Sequence, residues 1–198
     1  MFLGAVATGL PMPLTAVQLL WLNLVTNGAQ DVMLGFGRGE GDELLQKPRR
    51  PDEPILDRSA LALMIPPALT MTMLALALMS SMRAEGHSVG EAQNVVLLAT
   101  VLFQNAYVLC MRSERRPLYN DPLTSNPGLL LGIGIAIALQ AVAMFWAPLA
   151  GVLGTGPVSQ EVLLFCLGGT ALAVVVTELT KHAVSRQVPT ANSVACGG

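Results

Sequence analysis

The stretch Trp21-Leu-Asn23-Leu-Val-Thr26-Asn27-Gly28-Ala-Gln30-Asp31-Val32 decides how this chain is read. It lies inside an apolar run from about Ala16 to Phe36, long enough to cross a bilayer as a helix. Yet Asn23, Asn27 and Asp31 recur at i, i+4 and i+8, with Thr26 and Gln30 beside them. One face of a membrane helix would then carry a carboxylate, amide side chains and a hydroxyl. An ionisable group inside a span is costly and marks a transport path or a bound ion. Oxygen donors of this kind suit hard cations such as Ca²⁺, Na⁺ or Mg²⁺. Gly28 permits local unwinding, which would free backbone carbonyls as further ligands. The other reading of the same groups is as hydrogen-bonding glue between packed membrane helices.

Working outward, the rest of the chain supports a membrane setting. Of its 198 residues, 53% are hydrophobic and only 12% charged, about half the charged share of a water-soluble domain. Further apolar blocks run from about Ser59 to Met82, Ala92 to Met111, Pro127 to Trp146 and Val162 to Thr180. The expected fold is all-α: a polytopic membrane helix bundle of five full transmembrane helices plus an N-terminal partial helix. Met1 to Leu10 is that partial helix, too short to span and broken by Pro11 and Pro13. Pro66 and Pro67 are expected to kink the second span. Residues 187–198 are polar and end in Gly-Gly, and read as a disordered tail.

The basic residues orient the bundle. Ten of the eleven lie in the loop 37–58, in the loop after the third span, or at the C-terminal end; Arg83 alone lies on the other side. By the positive-inside rule the C-terminus is cytoplasmic. The first span then needs an external start, which a ten-residue stub cannot supply, so residues upstream are expected to be missing.

Pro13-Leu-Thr-Ala-Val-Gln-Leu-Leu-Trp-Leu-Asn-Leu-Val-Thr-Asn-Gly28 resembles the sixth transmembrane helix of type II P-type cation-transporting ATPases. Lys47-Pro-Arg-Arg-Pro-Asp-Glu-Pro-Ile-Leu56 resembles the cytoplasmic loop that follows it. On this resemblance the chain runs from the end of helix five through helix ten, with residues 1–186 forming the C-terminal cation-transport domain. The resemblance implies that Asn23 and Thr26 help bind the transported cation. It implies the same for an acidic or amide ligand at the position of Gln104, mid-way through the third span beside Asn105. Related pumps commonly place Asp where this chain has Asn27; Asp31, one turn on, returns a carboxylate to that helix. The expected metal-binding set is Asn23, Thr26, Asn27, Asp31 and Gln104. The resemblance further implies a coupling role for the proline-rich loop; assuming a bacterial source, the expected location is the cell inner membrane.

No Asp-Lys-Thr-Gly-Thr phosphorylation motif or other phosphate-binding loop is present in the sequence. The chain alone is therefore expected not to be an enzyme and to bind no cofactor. ATP and Mg²⁺ would act only through domains outside it, and the bound species would be the transported cation, Ca²⁺ or another. Expected partners are the lipid bilayer and the N-terminal half of a pump or another membrane protein. The net charge of −2 argues against nucleic acid. Cys110, Cys166 and Cys196 are too scattered for a metal site, and His87 and His182 lie on opposite sides of the membrane. Glu178 and Lys181, at i and i+3, read as a solvated pair at the end of the last span. Two alternatives stay open: a non-enzymatic membrane protein that regulates another transporter, and a small independent carrier.

Overall fold

A computed structural model describes residues 1–36, 58–112 and 126–187. Among them the chain is helical and has no strand. The helices are α1 (Phe2–Thr8), α2 (Ala16–Trp21), α3 (Gly28–Gly35), α4 (Arg58–Ala84), α5 (Val89–Cys110), α6 (Pro127–Phe145), α7 (Ala147–Leu153) and α8 (Gln160–Gln187). A π-helical segment, Leu22–Asn27, joins α2 to α3. The proline-rich loop and the tail beyond Gln187 lie outside the described residues.

Among the described residues, four helices are long and apolar enough to cross a membrane: α4, α5, α6 and α8. They match the four later spans read from the sequence. The first expected span is instead a composite, six residues of α2, six of π-helix and eight of α3.

The burial of each span reports its place. The most apolar window of α5 is 67% buried, against 22–33% for α4, α6 and α8, so α5 is the central helix. Val96, Leu97, Ala99 and Val101 of α5 form the core with Met79 of α4 and Cys166 and Ala173 of α8. Small side chains at Ala99 and Ala173 let the helices approach closely, as membrane packing requires. Outward-facing Leu, Ile and Val of α4, α6 and α8 remain exposed, which suits surfaces that meet lipid tails.

Local chemistry sets the helix ends. Thr15 and Gln18 form a reciprocal capping box that starts α2, and Ser88 and Glu91 do the same for α5. Asn126 caps α6 with Pro127 in its first turn. α1 ends at Gly9, whose φ of 68° only glycine adopts without strain. Pro66 and Pro67 lie inside α4, and the Thr70 hydroxyl donates to the Pro66 carbonyl at 2.9 Å. This is the i−4 back-bond common for Thr in helices, and it tends to bend them.

α7 was not anticipated from the sequence. Side chains from neighbouring elements tie it and the following turn down. Gln18 Nε2 donates to the Leu153 carbonyl at 3.0 Å, and Asn94 Nδ2 donates to the Gly156 carbonyl at 2.9 Å.

Gly169 of α8 faces α4 so closely that an added Cβ would lie 2.6 and 2.7 Å from the two Leu74 methyls. The whole isobutyl group would have to move. Gly169→Ala is expected to destabilise the α4–α8 packing by about 1–3 kcal/mol, the usual cost of overfilling a packed site. Thermal unfolding of the lipid-reconstituted variant checks this.

Candidate cation path

The composite helix brings its polar residues forward by a repeating pattern. Leu22 is buried and Asn23 exposed; eight residues on, Gln30 is buried and Asp31 exposed. In a regular α-helix, residues eight apart are turned by about 80° from one another. The π segment between them bonds i to i+5 and turns less per residue, which reduces that offset. The wider turn therefore helps Asn23 and Asp31 look away from the bundle together.

Unwinding was expected at Gly28. The departure from α geometry instead lies just before it, and Gly28 itself is helical at φ −55° and ψ −43°. π turns within membrane helices loosen the carbonyl ladder while keeping the helix continuous.

The expected ligands do not all converge. Asn23 and Asp31 sit about 12 Å apart along the axis at helical rise. Hard cations hold oxygen ligands at about 2.3–2.6 Å, so one ion cannot touch both. They mark two levels of one helix. The backbone of Thr26 and Asn27 lies between those levels, inside the π segment, and their side chains are outside the described residues. Asp31 is four residues before the end of α3 at Gly35. Gln104 is half-buried on α5, and its Oε1 is buried without a hydrogen-bond partner among the described residues. An orphaned buried acceptor is costly and leaves Gln104 able to accept from a ligand or a water. Among the described residues, no group of three or more His, Cys, Asp and Glu is placed to hold a metal ion. Cys110 and Cys166 are buried free thiols.

Among the interhelical bonds that escaped the sequence reading, two hold α3. Gln30 Nε2 donates to Asn105 Oδ1 at 2.6 Å, and both residues are buried. Asn126 Nδ2 donates to the Met33 carbonyl at 2.9 Å. Polar residues inside spans were the available signal, but sequence gives no phase between one helix and the next. The Glu178–Lys181 pair also needs correction. It is not a solvated surface pair: Lys181 is 2% exposed, and its Nζ lies 3.2 Å from Glu178. The same ammonium donates to the Cys110 carbonyl at the end of α5. The sequence showed the i, i+3 spacing, whereas the packing of α8 on α5 buries the pair.

Known proteins give this bundle a context. The family described as Cation transporting ATPase, C-terminus, matches residues 11–183. The calcium-transporting ATPase of Bacillus subtilis (strain 168) is 28% identical over 173 residues, covering 86% of this chain and 19% of that protein. The probable cation-transporting ATPase F of Mycobacterium tuberculosis (strain H37Rv) is 24% identical over 189 residues, 94% of this chain and 21% of that protein. A probable calcium-transporting ATPase of Trypanosoma brucei brucei is 51% identical over 49 residues, 25% of this chain and 5% of that protein. The chain spans about a fifth of the length of the first two relatives. Since the family match runs from the start of the composite helix to the last turns of α8, the chain belongs to the P-type cation-transporting ATPases, as the C-terminal membrane part of that family.

Proposed function

We propose that this chain forms part of the cation path of an ATP-driven pump, with Asp31 as the anionic group of its composite helix. The observation that carries this reading is an exposed carboxylate on a π-interrupted membrane helix, within the region matched to the pump family. A cation leaving water needs ligand charge as well as dipoles, because losing hydration in a low-dielectric medium is costly. Asn23, Thr26 and Asn27 add neutral oxygens along the same helix, and Gln104 adds one from α5. The cation is Ca²⁺ or another hard cation. ATP and Mg²⁺ act through the catalytic domains of the pump, beside which this membrane part works. The bilayer surrounds α4, α6 and α8, in the inner membrane of a bacterial source, with the C-terminal end of α8 in the cytoplasm.

The direct test is reconstitution in lipid vesicles with labelled ATP. The chain alone is expected to form no acid-stable phosphoenzyme. Combined with the N-terminal half of a related calcium pump, it is expected to support ATP-driven cation uptake. Phosphorylation of this polypeptide by itself contradicts the first expectation. Failure of every such combination to transport favours the regulatory alternative. Orientation has its own readout: a reporter fused after Arg186 should behave as cytoplasmic and one inserted at His87 as external. The reversed pattern at both sites would refute the assigned topology.

A further inference from the structure

We propose that the buried Gln30–Asn105 hydrogen bond sets the rotation of α3 and so aims Asp31 outward, making Asn105 and Gln30 positioning residues for that carboxylate. The inference rests on the reading of Asp31 as a cation ligand. It starts from the π segment, Leu22–Asn27, which ends three residues before Gln30. A π turn can relax toward α geometry, and any such change rotates everything that follows it. α3 has only eight residues, so its own length resists such rotation weakly. Something outside α3 has to hold its phase if Asp31 is to keep one direction.

The clamp meets that need. Gln30 is 2% exposed and Asn105 4% exposed, and their amides meet at 2.6 Å. Asn105 is itself held, because its Nδ2 donates to the Val101 carbonyl at 2.8 Å one turn back on α5. α5 is the most buried span, so its side is the rigid one. Rotating α3 would take the Gln30 Nε2 donor away from the Asn105 Oδ1 acceptor in a low-dielectric interior, which is costly. Gln30 directly precedes Asp31, and successive residues of an α-helix are turned by about 100°, so fixing Gln30 against α5 fixes Asp31 on the adjacent, exposed side. A second tie, from Asn126 Nδ2 to the Met33 carbonyl, holds the last turn of α3 against the start of α6. That bond holds the end of α3 against α6, whereas the Gln30–Asn105 bond acts at the residue next to Asp31. Asn105 thus differs from its neighbour Gln104, the α5 residue expected as a ligand: Asn105 acts through Gln30 without touching the cation.

The test uses the full 198-residue chain in lipid nanodiscs and its native carboxylate. Dicyclohexylcarbodiimide labels membrane carboxylates, and peptide mapping by mass spectrometry compares Asp31 with exposed Glu91 as internal reference. Asn105→Leu is expected to lower Asp31 labelling several-fold relative to Glu91, as α3 samples other phases. The exchanged pair, Gln30→Asn with Asn105→Gln, keeps both amides and is expected to restore it. Helical content by circular dichroism identifies folded samples. Should Asn105→Leu fail to fold, Gln30→Leu with Asn105→Leu removes both polar groups together and carries the same test. A merely structural bond would lower thermal stability and leave the labelling ratio of folded chain unchanged. An unchanged ratio, or no recovery in the exchanged pair, overturns the proposal. Calcium chloride added before labelling separates the two readings. Protection of Asp31 in the parent chain, with the half-protecting concentration raised several-fold in Asn105→Leu, supports the clamp as a positioning device. Absence of protection in the parent chain removes the cation reading on which the inference rests, whatever the labelling ratio does.

Discussion

Asp31→Asn is expected to reduce cation-stimulated transport, in a pump assembled with this chain, by roughly 100-fold. Loss of one charged partner to a desolvated ion costs about 2–5 kcal/mol, and every 1.4 kcal/mol is tenfold. Asp31 is the only carboxylate in the described part of the composite helix, so no neighbour on that helix replaces it. Asn27→Ala removes only a dipole and is expected to have a much smaller effect. Moving the charge one turn back, with Asn27→Asp and Asp31→Asn together, should recover part of the transport. Equilibrium dialysis against radioactive calcium, on the chain in nanodiscs, checks the binding component directly. Unchanged calcium binding and transport in Asp31→Asn would assign the carboxylate to the interface near the end of α3, solvated and not a ligand.

The second large effect concerns stability. Lys181→Met removes a buried ammonium and leaves the Glu178 carboxylate and the Cys110 carbonyl without it. Breaking a buried ion pair from one side usually costs about 3–5 kcal/mol. The Glu178 side chain is 21% exposed and can draw some hydration, which places the expected loss at about 2–4 kcal/mol. Lys181→Arg keeps the charge and should lose less. Lys181→Met with Glu178→Gln removes both charges of the pair and should recover much of the loss, because replacing both partners is cheaper than removing one. Thermal unfolding in nanodiscs reads all three. Equal melting temperatures for the single and double variants would mean that Glu178 finds enough water without Lys181.

Much of the architecture was legible because the bilayer simplifies the problem. Buried backbone must bond internally, so long apolar runs can only be helices, and four of the five expected spans appear at nearly the expected residues. The short N-terminal helix was legible for a related reason. Pro11 and Pro13 rule out its continuation, and it ends earlier, at Thr8, where Gly9 turns left-handed. Two features were not legible. α7 is seven residues long, and side chains distant in sequence hold it. The π segment follows a good capping box and contains no proline, so its residues alone do not announce a wider turn.

The sequence by itself determined the inventory: five apolar runs, one of them polar on a face, a single carboxylate in that run, and a one-sided distribution of basic residues. These depend on composition and spacing along one helix, and such local quantities are written directly in the chain. Tertiary structure decided which polar group serves which role. Gln30 and Asp31 are neighbours, yet one is buried against Asn105 and the other is exposed. Gln104 and Asn105 are neighbours too, yet only Asn105 meets α3 at the distance of a hydrogen bond. Lys181 looks like a surface charge at a span end and is buried by the packing of α8 on α5. In each case the outcome turns on the rotation of one helix against another. That rotation is fixed by contacts between residues far apart in sequence, and no periodicity within a single helix contains it.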